Sequence, residues 1–383
     1  MDNNIEKHIE EICIKANKAS KSLSHASSKS KNQALQLITK HIKKDKNDIL
    51  KANSIDIKSA RENNVSEALL DRLLLNESRI NDMIKGLDNI ILLNDPIGSE
   101  IKKWTPKNGI IMSQTRVPIG VIGIIYESRP NVTADASALA LKSGNAIILR
   151  GGSESFHSSS AIVKSIKNGL KESDISENCI QMVNTISRDA VGALLNMSKY
   201  INLIIPRGGK ALIERVQIDS KIAVLSHLDG LCHTYIDKDA NKEMAIDIVI
   251  NAKMRRTGIC GATETLLCHK EVINSILPDI IEKLMSQGCE VRADENIQPL
   301  NKNINNATTK DWETEYLDKI ISIKSVNDLS DAINHIEQFG SNHTDAIITE
   351  NATTAEAFLK EVNSAIVLHN ASTQYADGGE FGM

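Results

Sequence analysis

The stretch "MRRTGICGATETLLCH", residues 254–269, places two cysteines in different surroundings. Cys260 lies between Gly258 and Gly261 and follows two arginines, whereas Cys268 ends an apolar run. Glycines let a ligand approach the backbone closely. Guanidinium groups lower the pKa of a nearby thiol and bind anionic substrates. The residue types and their spacing therefore predict Cys260 as a nucleophile and Cys268 as a core residue.

The elements around this loop follow from the hydrophobic periodicity. A helix is predicted over 243–254 and a strand over 264–269, so Cys260 lies in a helix-to-strand loop. Because the negative end of a helix dipole points at the residues that follow it, activation of the thiol is expected from Arg255 and Arg256 or from the substrate site.

Composition limits the possible function classes. The 383 residues are 41% hydrophobic, 25% charged and 3% aromatic, with a net charge of −4. This length predicts two or three domains. The sequence has no basic stripe with interleaved aromatic residues, so no nucleic-acid partner is expected. It has no secretory signal and no uncharged run of ~20 residues, so no membrane partner is expected. The six scattered cysteines indicate reduced thiols in the cytoplasm and no metal site.

The periodicity along the chain is typical of an α/β protein. The first ninety or so residues show helical spacing, and from residue 121 strands alternate with helices. Such alternation indicates βαβ units and a parallel, doubly wound sheet. The strands predicted in this part are 121–126, 146–150, 179–183, 201–206 and 222–227. A second α/β segment follows over 229–364, and Lys107-Asn108-Gly109 predicts a hairpin turn within 102–120.

Longer motifs carry a resemblance to a known family. "PIGVIGIIYESRPNVTADASALALKSGNAIILRGGSES", "IPRGGKALIERV", "LSHLDGLCHTYID" and "NAKMRRTGICGATETLL" closely resemble the γ-glutamyl phosphate reductases, a branch of the aldehyde dehydrogenase superfamily. The stretch 326–347 resembles that family's own signature, and the similarity runs from residue 5 to residue 382.

The resemblance implies an aldehyde-dehydrogenase-like α/β fold. Residues 1–101 and 121–228 would form a Rossmann-like NADP-binding domain, with 365–383 returning towards it. Residues 229–364 would form a second α/β domain, the catalytic one, and the 102–120 hairpin a small β element for oligomerisation.

The resemblance also implies the reaction: NADPH-dependent reduction of L-glutamate 5-phosphate to L-glutamate 5-semialdehyde and phosphate, the second step of proline biosynthesis from glutamate. The cysteine that forms the thioester in the matching motif is Cys260. Hydrolytic relatives carry a glutamate that activates water where this chain has His227. The loss of that base fits an enzyme that must protect its thioester from water.

Two motifs are expected to bind the cofactor. Arg150 ends a predicted strand, with Ser153 shortly after it. A basic residue at this place accepts a 2′-phosphate, which favours NADP over NAD. The usual G-x-G-x-x-G is absent, and "PRGG", with Arg207, Gly208 and Gly209, resembles the superfamily's counterpart.

The remaining site residues come from the same resemblance. Glu315 matches the superfamily glutamate that holds the nicotinamide ribose. Asn131 lies near the asparagine that stabilises the oxyanion, although the spacing leaves Arg129 as an alternative. Arg129 and Arg256 are the candidates for binding the carboxylate or phosphate of the substrate.

The resemblance also bears on the assembly and the partners of the chain. The implied assembly is a homo-oligomer, a dimer or a tetramer, with glutamate 5-kinase as a further partner. Relatives usually continue for several tens of residues past "GGEFG", so a shortened product with a reduced assembly surface and reduced activity is one expectation. The alternatives are an acylating aldehyde dehydrogenase that uses coenzyme A, and an inactive homologue that acts as a binding subunit.

Overall fold

The computed structural model describes residues 3–65, 67–226 and 229–376. The chain divides into two compact units, Met1–Ser226 and His227–Met383. The sequence predicts a boundary between residues 228 and 229.

The first unit combines helices with two sheets. Its helices are α1 Asn3–Leu23, α2 Ser28–Lys44, α3 Lys46–Glu62, α4 Glu67–Leu73, α5 Glu77–Leu92, α6 Asn131–Lys142, α7 Phe156–Lys171, α8 Asp189–Leu195 and α9 Lys210–Asp219. Its strands are β1 Glu100–Trp104, β2 Met112–Thr115, β3 Val121–Tyr126, β4 Ala146–Gly151, β5 Ile180–Met182 and β6 Leu203–Arg207. No described helix has the length and the apolar run needed to cross a membrane.

The main sheet of this unit has the parallel order β5-β4-β3-β6 within the described residues. Its central strands β3 and β4 are almost wholly buried, and the aliphatic side chains of the sheet form one core with α1, α2, α5, α6 and α7. Four of the five predicted strands form. The prediction of a strand over 222–227 is wrong, because Val224 makes only an isolated bridge to Ile204 and Leu225 is exposed.

The predicted hairpin is present. Strands β1 and β2 pair antiparallel, and Gly109 adopts a φ of +81° in the connection between them. Both strands are exposed on every residue. Two-stranded ribbons are marginal when alone, so this hairpin is expected to depend on further packing.

The second unit is built on a larger parallel sheet. Its strands are β7 Cys232–Ile236, β8 Thr263–His269, β9 Glu290–Ala293, β10 Asn305–Asn306, β11 Ile320–Val326, β12 Thr344–Ile348 and β13 Ile366–His369. Its helices are α10 Lys242–Met254, α11 Ile273–Ser286, α12 Thr309–Trp312, α13 Leu329–Phe339 and α14 Ala352–Glu361. Over the described part of the chain the strand order is β10-β9-β11-β8-β7-β12-β13.

Side-chain alternation along the central strands separates two cores. Leu266 packs with α10 and α11 on one face, whereas its neighbour Leu267 packs with α13 and α14 on the other. Because a strand that is covered on both faces exposes nothing to water, β7 and β8 are buried at every residue.

The last described strand belongs to the second unit. Strand β13 pairs in parallel with β12, and Ile366 and Leu368 bury their side chains there. The return of residues 365–383 towards the cofactor domain stays a prediction. Residues 377–383 lie outside the described residues.

Candidate active site

The loop that carries Cys260 connects α10 to β8, as the sequence predicts. Asn241 caps α10 by accepting from the N–H of Met244. Among the six cysteines, all of which lie in the described ranges, Cys260 alone is half-buried and the other five are buried. Burial raises the pKa of the Cys268 thiol, as befits a core residue. The structure therefore singles out Cys260 as the accessible thiol.

Gly230 sets the position of Cys260. It is buried just before β7, and a Cβ at this residue would lie 2.3 Å from the backbone oxygen of Cys260 and 2.5 Å from its Cα and Cβ. No side chain fits into that space. The role of Gly230 is not evident from the sequence, since nothing local to the glycine indicates which segment packs against it.

A second thiol supports the same loop. The Sγ–H of Cys232 donates to the backbone oxygen of Cys260 at 3.0 Å, and the Nδ1 of His343 lies 3.6 Å from that sulfur. Burial raises the pKa of Cys232 well above its usual value, and the nearby carboxylate of Asp345 adds to this effect. Cys232 is therefore a protonated hydrogen-bond donor, which fits a supporting role rather than that of a nucleophile.

The last described residues also pack against the cysteine loop. The Nε2 of Gln374 donates to the backbone oxygens of Ala252, at 2.8 Å, and Arg256, at 3.2 Å. A Cβ on Gly261 would lie 3.1 Å from the backbone oxygen of Thr373. Residues 373 and 374 thus hold the start and the end of the loop that carries Cys260.

Glu315 reaches the same place from the loop before β11. Its Oε1 accepts from the N–H of Gly230 at 3.1 Å, and Gly230 lies against Cys260. Two residues predicted for the site, Cys260 and Glu315, are therefore brought together around Gly230. Arg255 and Arg256, which precede Cys260 in the chain, are both exposed.

The predicted cofactor residues follow strands of the first unit. Tyr126 at the end of β3 pairs with Gly151 and with Arg207, so the ends of β3, β4 and β6 meet at one edge of the sheet. Loops at the carboxyl edge of such a sheet bind nucleotides. Arg207, like Ser153, is exposed at this edge.

The side-chain carboxylate of Glu127 lies at the N-terminus of α9. The N–H of Gly209 donates to Oε2 of Glu127 at 2.8 Å, and a Cβ on Gly208 would lie 2.6 Å from that oxygen. The positive end of a helix dipole favours such an anion. The N–H of Gly209 can therefore bind an oxyanion, and a phosphate group would bind here only by displacing the carboxylate of Glu127. No signal in the sequence indicates this contact of Glu127.

The Arg150 side chain is buried and bonded to backbone. Its Nη1 donates to the oxygen of Gly151 at 2.6 Å, and its Nη2 to those of Ile186 and Ser187 at 3.2 and 3.3 Å. Its Nε has no hydrogen-bond partner among the described residues. In this conformation the guanidinium holds the loop after β5, whereas the sequence predicted it as a phosphate ligand. Contact with a 2′-phosphate would require some of these bonds to exchange.

The residues between β3 and α6 form a strained turn. Ser128 adopts a φ of +41° and donates from its Oγ to Oε1 of Glu154 at 3.0 Å. Arg129 is half-buried. Asn131 begins α6 and is exposed, and its Nδ2 donates to Oδ2 of Asp135 at 3.0 Å. No sequence signal marks a serine for the left-handed conformation, which glycine usually adopts. Strain of this kind is often found at functional sites.

Two further expectations concern His227 and metal ions. His227 lies outside the described residues. Within the ranges that the structure describes, no group of three or more His, Cys, Asp or Glu is arranged to hold a metal ion.

Comparison with known proteins gives consistent relatives. The model of the Aldehyde dehydrogenase family matches residues 2–312. The chain is 51% identical over 369 residues to the γ-glutamyl phosphate reductase of Paramagnetospirillum magneticum, covering 96% of this chain and 87% of that protein. It is 50% identical over 373 residues to the enzyme of the same name from Rhodospirillum rubrum, covering 97% and 87%.

Solved structures of related proteins give the same family and fold. The crystal structure of γ-glutamyl phosphate reductase from Thermotoga maritima matches with a TM-score of 0.95 and 42% identity, covering 98% of this chain and 90% of that one. Glyceraldehyde-3-phosphate dehydrogenase GapN from Methanocaldococcus jannaschii, solved in complex with NADP, matches with a TM-score of 0.66 and 16% identity, covering 97% and 87%. This second likeness concerns the fold alone.

Proposed function

Because the chain belongs to the γ-glutamyl phosphate reductases of the aldehyde dehydrogenase family, we propose that it reduces L-glutamate 5-phosphate to L-glutamate 5-semialdehyde in proline biosynthesis. The predicted aldehyde-dehydrogenase-like α/β fold is confirmed. One observation carries the proposed mechanism: Cys260 is the half-buried thiol of the chain, on a loop held from several sides.

In this mechanism Cys260 attacks the carbonyl carbon of the acyl phosphate as a thiolate. The carbon–oxygen bond to the phosphoryl group breaks, phosphate leaves with the electron pair, and a thioester remains on the sulfur. Such covalent catalysis divides one difficult step into two easier ones. Arg255 and Arg256 are both exposed and precede Cys260 in the chain, and their guanidinium groups would supply the positive charge that stabilises a thiolate.

NADPH, when bound, supplies a hydride to the thioester carbon. The carbon–sulfur bond then breaks, and the thiolate of Cys260 is restored as the semialdehyde forms. The N–H groups at Gly208 and Gly209 would hold a phosphate of the cofactor at the start of α9, once the carboxylate of Glu127 has left the N–H of Gly209.

Further contacts to the cofactor belong to the same proposal. Arg207 and Ser153 are exposed at the carboxyl edge of the first sheet and would bind the adenosine half. Arg150 would reach a 2′-phosphate by giving up carbonyl contacts, and Glu315 would hold the nicotinamide ribose. A preference for NADPH over NADH depends on these basic residues.

The oxyanion that forms on the thioester carbonyl needs a donor. The exposed amide of Asn131 is the candidate, and loss of one such donor typically costs about 3 kcal/mol of transition-state stabilisation. Arg129 and Arg256 are the candidates for binding the carboxylate or phosphate of L-glutamate 5-phosphate.

The hairpin would serve assembly. Its strands and connection expose large apolar side chains, namely Ile101, Trp104, Ile110, Ile111 and Met112. Exposed apolar surface of this kind is typical of interaction sites, so we infer that the chain forms a dimer or tetramer through it. Cytoplasmic location and an encounter with glutamate 5-kinase are part of the same proposal.

The test is the reverse reaction on the chain as it stands. L-Glutamate 5-semialdehyde, phosphate and NADP should give NADPH, and omission of phosphate should stop it. The Cys260→Ala variant should lose turnover while still binding NADPH, because the thiol is not part of the nucleotide site. Turnover of this variant near the wild-type rate would refute the covalent mechanism.

The same assay separates the alternatives. An acylating aldehyde dehydrogenase would require coenzyme A in place of phosphate. A binding subunit would show no turnover with either acceptor, and its Cys260 would react with iodoacetamide no faster than an ordinary thiol.

A further inference from the structure

A buried ion pair flanks the cysteine loop on both sides. Lys253 lies in the last turn of α10, Glu264 lies on β8, and their Nζ and Oε2 atoms are 2.5 Å apart with both side chains 0% exposed. Burial raises the pKa of Glu264 to about 7, against the lowering effect of Lys253. The free energy of removing two charges from water offsets much of their electrostatic attraction. A buried ion pair is therefore weak evidence for a role in stability.

The second oxygen of Glu264 holds a different segment. Its Oε1 accepts from the N–H of Leu317 at 3.2 Å. Leu317 adopts a φ of +52°, in the left-handed region that a branched side chain seldom occupies. Backbone in this conformation persists only when its surroundings hold it there, and the carboxylate of Glu264 is one of the groups that do so.

Leu317 follows Glu315 by two residues, so the contact between Glu264 and Leu317 also fixes the loop that carries Glu315. Through Glu315 this loop is connected to Cys260. Glu315 accepts from the N–H of Gly230, and Gly230 lies against the backbone of Cys260. Lys253 also lies near the residue between them, with its Nζ 5.9 Å from the centroid of the Tyr316 ring. The pair thus connects the loop of the thiol with the loop of the carboxylate.

We propose that Lys253 and Glu264 are a positioning pair that sets where Glu315 stands relative to Cys260. This inference rests on the proposed function, in which Glu315 contacts the cofactor. A carboxylate serves two donors with two separate oxygens, one for Lys253 and one for Leu317. An apolar pair would fill the same volume without making that connection.

The first variant is Glu264→Gln, which keeps the shape but has one oxygen for two donors. We expect binding of NADPH, measured by fluorescence titration, to weaken about tenfold. In a Glu315→Gln background the same change should weaken it by less than about twofold, because the effect passes through Glu315. Independent effects that multiply in the double variant would overturn the proposal.

The matched control is Asp279→Asn, which breaks a 2.5 Å ion pair with Lys242 in the same unit, half-exposed on α10 and α11. We expect no change in NADPH affinity. If Glu264→Gln does not fold, Lys253→Met with Glu264→Gln removes the charge that would remain buried. Wild-type affinity in that double variant would overturn the proposal.

Binding and turnover answer separate questions. The reverse reaction of the wild type reports on the proposed function. The NADPH titrations report on the pair whether or not turnover is found. A Glu264→Gln variant that loses thermal stability but keeps wild-type affinity would show a structural role only and would refute positioning.

Discussion

Replacing Gly230 by alanine tests whether the backbone contact behind Cys260 sets the rate. The added Cβ would lie 2.5 Å from the Cα and Cβ of Cys260 and 2.3 Å from its oxygen, whereas ordinary contact begins at 3.4 Å. All three contacts are too close to be relieved by rotating a side chain, and two of them involve backbone atoms. The loop must therefore move by about 1 Å to admit the methyl group.

The expected cost follows from that displacement. A 1 Å misplacement of a reacting group reduces the rate about 100-fold, which corresponds to about 2.7 kcal/mol of activation free energy. Overpacking a filled site costs about 1–3 kcal/mol of folding free energy as well. We therefore expect kcat in the reverse reaction to fall about 100-fold and the melting temperature to drop, with the fold retained.

Gly86→Ala is the matched control. Gly86 lies within α5, its nearest neighbour to an added Cβ is 3.7 Å away, and its φ is not positive. Alanine there gains about 1 kcal/mol of helix propensity and should leave kcat unchanged. A folded Gly230→Ala protein with wild-type kcat would refute the argument that this contact positions the thiol.

Two other predictions concern the second unit. Gln374→Leu removes hydrogen bonds to Ala252 and Arg256, so we expect urea unfolding to show a loss of about 1–3 kcal/mol, together with a lower kcat; unchanged values of both would contradict a supporting role. Burial lowers the pKa of His335 to about 2, with His233 and Lys324 adding to the effect. A histidine in the unfolded chain binds a proton below about pH 6.5. The free energy of unfolding therefore decreases as the pH is lowered, by up to about 1.4 kcal/mol per pH unit for this group. His335→Gln should make the decline between pH 6 and 5 shallower by that amount, and an identical slope in both proteins would rule this out.

Much of the fold could be predicted from the sequence because the signals are local. Short aliphatic strands alternate with amphipathic helices, and this period change predicts a parallel sheet wherever it occurs. The prediction of a strand at 222–227 is wrong over the described residues 222–226, where the apolar residues of a strand are present but only an isolated bridge forms between Val224 and Ile204. Strand formation depends on an available partner edge, which periodicity does not report.

The position of Cys260 between helix and strand was likewise evident from the sequence, whereas its supports were not. Glu315 contacts Gly230 across 85 residues, and Gln374 contacts Ala252 across 122. The sheet order places the segments of Gly230, Cys260 and Glu315 side by side, since β8 lies between β7 and β11. A single sequence carries no record of such pairings.

From the sequence by itself, the family followed from the resemblance of long motifs, whereas the α/β class and the choice of Cys260 followed from residue type and local spacing. Only the tertiary structure decided that the guanidinium of Arg150 binds backbone carbonyls, that β13 joins the second sheet, and that the buried carboxylate of Glu264 contacts both Lys253 and the N–H of Leu317. Those outcomes depend on which groups meet after the chain has folded, when buried polar groups form hydrogen bonds with distant segments.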